Sequence, residues 1–241
     1  MRFNVELLLE NEIIPKDKNR VFLSFLKHNY SSYDNEYFES QYENTKNKTK
    51  SFTFSLYMEN CKFLKDEIII PNKNIILNFS TADMEDGIMF YNSILSNIGK
   101  KYDIKNNSIT VKKISLVKEK LIRENEVIFK TMSPIIVKEH NGDNKKTWYH
   151  SLNEKTGQEL LLKNLNYYLI NIFGEYSKKD IEEIKFELLS NKEVKIKNYK
   201  IELLGNIVQF RLEGKPYLLE YLYKSGIGSL RNSGFGMVDL V

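Results

Sequence analysis

The order in which apolar periods follow one another constrains this fold more than any single motif does. Residues 2–9 (RFNVELLL) alternate as a strand. Pro15 then opens a helical stretch with Val21, Phe22, Phe25 and Leu26 on one face. After a polar, tyrosine-rich segment (29–50), SFTFSLYM (51–58) and EIIIPNKNIILNFS (67–80) read as strands, the latter a pair turning at Pro71–Asn74. Thr81-Ala82-Asp83 can cap a helix carrying Met84, Ile88, Tyr91, Ile94, Leu95 and Ile98, and SITVKKISLV (108–117) closes the series. That order, β-α-β-β-α-β, is the ferredoxin-like arrangement also used by RNA-recognition modules.

The remaining residues repeat the theme. EVIFKTMSPIIV (126–137) reads as a strand, and Asn141-Gly142 as a hairpin turn. Residues 154–173 place Leu160, Leu161, Leu165, Tyr168, Leu169 and Ile172 at helix spacing. Strands are expected at about 183–190, 193–204 and 206–213, a helix from Pro216 (PYLLEYLYK), and a final strand in FGMVDLV. The expected fold is therefore α+β, two tandem ferredoxin-like (RRM-like) βαββαβ domains, 1–117 and 118–241. No Ser/Gly/Pro-rich linker separates them, which predicts halves that pack rigidly together.

Charge narrows the partner. A net charge of +4 is modest, but Lys100 to Arg123 holds eight basic residues against Asp103 and Glu119. Such a strip suits phosphates, with Lys112, Lys113, Arg123 and Lys130 as candidate contacts; a solvated strand pair explains it equally well. Strand alternation predicts that only one of Lys112 and Lys113 faces a ligand. A lone cysteine, Cys61, rules out an internal disulfide or a thiolate metal cluster. The opening MRFNVELLLENE alternates and meets acids early, unlike a signal peptide, and no apolar run reaches the roughly 20 residues of a membrane helix. A cytoplasmic protein without membrane contact is expected.

GIGSLRNSGFG carries Gly226, Gly228, Gly234 and Gly236. A dinucleotide or P-loop fingerprint follows a strand and opens a helix, whereas this loop follows a helix and precedes a strand. It is either a tight turn or a backbone surface that another chain, RNA included, approaches closely. Gly226, Gly228, Ser229, Arg231, Asn232, Gly234 and Phe235 are the candidate contacts.

GIGSLRNSGFGMVDLV resembles the C-terminal glycine-rich signature of the repeat-associated RNA-binding superfamily of CRISPR systems, and in particular the Cas6 endoribonucleases. MRFNVEL resembles that family's opening strand, KSFTFSLY (50–57) its K-x-F-T-[YF]-S segment, and TMSPIIV (131–137) the strand opening its second domain. The resemblance implies binding of CRISPR repeat RNA and cleavage of the precursor without metal or cofactor. The 2′-OH beside the scissile phosphate attacks, leaving a 2′,3′-cyclic phosphate and a 5′-OH. The competing expectation is an RNA-binding subunit of a CRISPR effector complex that does not cut. Effector-complex subunits and a second copy of the chain are further candidate partners.

Such chemistry needs a proton acceptor, a proton donor and a cation for the phosphate. His28 continues the Val21/Phe25 helix face; on its residues alone it reads as a histidine capping the helix end, and the resemblance points to proton transfer. Lys50 opens the K-x-F-T segment and is implied to steady the phosphate. Many members carry a histidine shortly before that lysine, where this chain reads QYENTKN; Tyr42 is the substitute donor. His140 and His150 flank the 141–142 turn and read as surface residues. Tyr30, Tyr33, Tyr37 and Tyr42 suit either base stacking or packing. Asp83, Glu85 and Asp86 read as first-turn carboxylates of a helix rather than metal ligands.

Overall fold

A computed structural model describes residues 1–42, 50–140, 147–199 and 201–241; the 141–142 turn lies outside them. The first half contains β1 (Arg2–Leu9), β2 (Ile13–Pro15), α1 (Lys18–Tyr33), α2 (Asn35–Tyr42), β3 (Phe52–Tyr57), β4 (Lys62–Phe63), β5 (Glu67–Ile69), β6 (Asn74–Thr81), α3 (Met84–Leu95), β7 (Lys101–Ile104) and β8 (Asn107–Val117). The second contains β9 (Glu126–Thr131), β10 (Lys138–His140), β11 (Thr147–Tyr149), α4 (Lys155–Phe173), α5 (Lys178–Glu182), β12 (Lys185–Asn198), β13 (Ile201–Glu213), α6 (Pro216–Ser225) and β14 (Val238–Leu240). Their principal sheets run β3-β6-β1-β8-β7 and β12-β13-β9-β14. Leaving out the edge strand β7, both have the ferredoxin-like order, and both are antiparallel. Each buries one face beneath its helices: Phe3, Val5, Phe54 and Phe79 under α1 and α3, and Phe129, Phe210 and Leu212 under α4 and α6. No helix among the described residues is long and apolar enough to cross a membrane.

Several local expectations are corrected. Pro15 ends β2 instead of opening the helix, and the tyrosine-rich segment begins within α1 and continues into α2. The strands flanking Pro71–Asn74 do not pair with each other: β5 joins β2 and β4, while β6 joins β1 and β3. EVIFKTMSPIIV breaks after Thr131, leaving Ile135 and Ile136 only in isolated bridges to Asn206 and Ser229. The three strands expected over 183–213 are two long ones, with a register shift between Leu188 and Ser190. Along α3 the buried positions are Gly87, Phe90, Ser93 and Ile94, whereas Met84, Ile88 and Leu95 are exposed.

Lys112 departs from alternation too. Glu6 of β1 faces Lys113 and Leu7 faces Val111, so Lys112 is the extra residue of a β-bulge. Both lysines are consequently exposed between the buried Val111 and Ile114. For the RNA binding that the family resemblance implies, we therefore expect charge reversal at either lysine alone to flatten the salt dependence, by about one unit of slope for each phosphate no longer neutralised. An effect at only one of them, measured by filter binding across a salt series, would show that the bulge does not present both.

The halves meet through buried, directional contacts. The Arg2 guanidinium, 4% exposed, donates to the Val238 carbonyl at 3.0 Å and lies 4.2 Å from the Tyr223 ring centroid. The Ser80 hydroxyl donates to the Lys224 carbonyl at 2.8 Å. Exposed contacts add to these near the β12–β13 turn, where Lys197 pairs with Asp66 at 2.7 Å and the Tyr199 N–H donates to Asp17. Buried hydrogen bonds hold one relative geometry better than apolar contact alone.

Candidate functional site

The glycine-rich loop is built against the first half's β3. Thr53 Oγ1 donates to the Phe235 carbonyl at 2.8 Å, and Asn19 Nδ2 to the Ser233 and Gly234 carbonyls at 3.0 and 3.1 Å. A Cβ on Gly234 would stand 2.6 Å from the Phe54 ring, and one on Gly226 3.0 Å from Thr53. The K-x-F-T segment and the glycine loop, far apart in sequence, are thus two sides of one joint. Phe235 is 1% exposed and packs with Ile136 and Leu203, so its side chain is turned away from any ligand. Gly226 and Gly234 are buried as well, and their absent side chains make room for protein rather than for an incoming strand.

What the loop leaves open is a cleft of about 450 Å³ between the halves. Lys50 lines one side; Gly228, Ser229, Leu230, Arg231 and Asn232 line another, with Lys138 and the α4 residues Asn164, Tyr167, Tyr168 and Asn171. No carboxylate is among these lining residues. The Arg231 guanidinium lies 3.6 Å from the Tyr168 ring centroid and donates to the Gly228 carbonyl at 2.9 Å, which pre-positions a planar cation at the wall. Tyr167, 72% exposed, presents a bare ring. Burial lowers the pKa of Lys138. A larger hollow of about 660 Å³ near β2 carries Glu12, Asp66 and Glu67 beside Lys73 and Lys105, so it lacks the single sign that attracts a polyanion.

Lys138, Asn164, Tyr167 and Asn171 are not evident from sequence motifs. A partial signal exists: positions 164, 167 and 171 share a helix face that is polar or aromatic beyond Leu160.

Of the candidate catalytic residues, Tyr42 and Lys50 come together. The Lys50 ammonium lies 3.1 Å from the Tyr42 ring centroid, and that of Lys27 4.9 Å. Burial, reinforced by Lys27 and opposed by Asp86, holds the Lys50 pKa down to about 8. The Tyr42 hydroxyl is buried without a hydrogen-bond partner among the described residues, and burial raises its pKa well above the ordinary value. Behind them Tyr30 and Tyr37 donate to one oxygen of Asp86 at 3.3 and 3.0 Å, and burial raises the Asp86 pKa. His28 is not in this group. Successive helical residues are rotated by about 100°, so with Lys27 facing Tyr42, His28 turns to the other flank of α1. There it is exposed and packs on Tyr102, ring centroids 5.0 Å apart.

The remaining cations lie outside the cleft. Arg123 and Lys130 are exposed; within the basic strip Lys101 pairs with Glu10 at 3.3 Å and Lys120 with Asp239 at 3.6 Å. His150 pairs with Glu139 at 2.7 Å. Among the described residues no group of three or more His, Cys, Asp or Glu side chains is placed to hold a metal ion.

Two ferredoxin-like sheets locked by a glycine-rich loop define a class of tandem-domain proteins, and comparison identifies which. The family described as CRISPR-associated protein Cas6, C-terminal, matches residues 117–240. An endoribonuclease-like Cas6 protein of Pyrococcus furiosus is 26% identical over 187 residues, 72% of this chain and 76% of the relative. The fold covers 100% of this chain and 98% of a chain from a Cas6-related gene of Pyrococcus furiosus, with TM-score 0.84 and 23% identity. It matches equally well, at 0.84 and 23%, 99% of a RAMP protein that binds different RNA substrates. The chain belongs to the Cas6 family.

Proposed function

We propose that this protein binds CRISPR repeat RNA across the cleft between its halves, 1–117 and 118–241, and cuts the precursor transcript there without a metal ion. The observation that carries this reading is the cleft itself, lined among the described residues by Lys50, Lys138 and Arg231 and no carboxylate, at the joint of the two sequence segments that resemble the family. The endoribonuclease-like name of a relative and the RNA-binding neighbour support it at family level.

In the proposed reaction the 2′-oxygen bonds to phosphorus as the bond to the 5′-oxygen breaks. The 2′-OH loses a proton and the departing 5′-oxygen gains one. Lys50, with its pKa held down to about 8, suits both the phosphate charge and the proton delivered to the leaving oxygen. His28, on the far flank of α1, takes part if the RNA wraps over that helix.

A second reading, RNA binding without cleavage as a subunit of an effector complex, is favoured by one observation: among the described residues no histidine lines the cleft, and Tyr42 is held neutral. One gel separates the readings. Labelled repeat RNA incubated with the protein in EDTA is expected to be cut, and the same RNA with 2′-deoxyribose at the cut site to be bound intact. A shift without cleavage in both would select the second reading, and no shift would reject both.

A further inference from the structure

The Tyr42 ring carries two ammonium groups, and only Lys50 has a role so far. We propose that Lys27 and Lys50 form one phosphate site on that ring, so that RNA leaving the cleft passes over Lys50 and Tyr42 onto α1. The inference rests on the RNA-binding reading and adds to it a residue and a direction for the strand.

Geometry is the first argument. With centroid distances of 3.1 and 4.9 Å, the two nitrogens cannot be more than about 8 Å apart. Phe38 also stacks on Tyr42, ring centroids 5.1 Å apart, which holds that ring in place beside the two cations. A single phosphate presents several oxygens, each able to accept a short charge-assisted hydrogen bond of about 2.8 Å, and so can bridge two such groups.

The neighbouring carboxylates of Asp83, Glu85 and Asp86 are the second argument: Asp83 and one oxygen of Asp86 are engaged by protein donors, and among the described residues none of the three pairs with either lysine. Asp83, Glu85 and Asp86 of the α3 end share a shallow recess with Lys50. Asp83 accepts from the Asp86 N–H as helix cap, and Asp86 accepts from the Tyr30 and Tyr37 hydroxyls. Among the described residues neither Lys27 nor Lys50 forms an ion pair, while thirteen other ion pairs do form. Two like charges kept close, with no carboxylate of the described residues bridging them, are relieved by an external anion, and this pair continues a wall already cationic. The pull of Lys27 on the titration of Lys50 agrees with their proximity.

The test measures repeat-RNA affinity and its salt dependence for the wild type, Lys27→Met, Lys27→Arg, Lys50→Met and the double methionine variant, with melting curves in parallel. Lys27→Met is expected to bind roughly tenfold more weakly, with a salt slope lower by about one unit. Lys27→Arg should remain near wild type. The double variant should lose less than the product of the two single losses, because both side chains serve one phosphate. A wild-type slope in folded Lys27→Met, or losses that simply multiply, would overturn the shared site while leaving the RNA-binding reading intact. Absence of RNA binding by the wild type would instead overturn that reading.

Discussion

Lys50→Ala should slow single-turnover cleavage by about 10²–10⁴-fold, the range expected when a positioned proton donor is removed. The wild-type rate should depend on pH in a matching way. Burial and Lys27 depress the Lys50 pKa to about 8, so the ammonium is the major form below that pH and is lost as pH rises through it. A step that needs the ammonium therefore runs on a plateau below about pH 8 and declines about tenfold per unit above it. An ordinary lysine would postpone the decline to beyond about pH 10. The same displacement has a sign for stability: a lysine whose folded pKa lies below its unfolded one opposes folding at neutral pH, and the opposition fades as pH rises. Loss of rate in Lys50→Ala should accordingly come without a fall in melting temperature. His28→Ala belongs in the same experiment. Its place on the Tyr102 flank predicts a rate far closer to wild type; a loss as large as that of Lys50→Ala would show that the RNA crosses both flanks of α1.

The largest stability effect should come from Gly236→Ala. Gly236 has φ +67°, accepts from the Ile227 N–H at 2.8 Å and donates to the Pro134 carbonyl at 2.9 Å. An added Cβ would overlap the Ile227 carbonyl oxygen, backbone that cannot swing aside as a side chain could. The left-handed conformation costs an alanine about 1–2 kcal/mol, and moving two hydrogen-bonded strands of the loop adds to it, for a total of roughly 3–5 kcal/mol. For a chain of this length that corresponds to a melting temperature lower by about 10 °C. Gly99→Ala is the control. Its φ is +77°, yet nothing lies within 4 Å of the added atom, so only the conformational cost applies. If both variants melt alike, the crowding at Gly236 is relieved by local movement. Because the loop also forms a cleft wall, Gly236→Ala should weaken RNA binding, and Gly99→Ala should not.

Much of this architecture is legible in the sequence because the signals are local. Strand alternation in RFNVELLL, the Asp83 cap and the proline at the start of α6 each act within a few residues. Their order alone implies two ferredoxin-like sheets. The helix faces are less legible. Along α3, Met84, Ile88, Tyr91 and Leu95 form an apolar stripe as regular as the one actually buried, through Gly87, Phe90 and Ile94, and only the position of the sheet decides between them. Alternation sends Lys112 and Lys113 to opposite sides because it assumes an unbroken ladder, and the bulge opposite Glu6 and Leu7 breaks it.

The site divides in the same way. The residue types for phosphate chemistry, and the two segments that resemble the family, can be read from the chain without coordinates. Their contact cannot, since Gly234 meets Phe54 across 180 positions and neither residue's own neighbours encode that approach. Tertiary packing decided that Lys50, not His28, faces the cleft, that Phe235 points inward, and that Lys27 joins Lys50 on Tyr42. Periodicity records how each segment meets its immediate surroundings, and so the sequence by itself determined the elements and the kind of chemistry. Which side chains share a site depends on the rotation and docking of whole elements, set by the summed packing of two cores, and that only the folded structure decided.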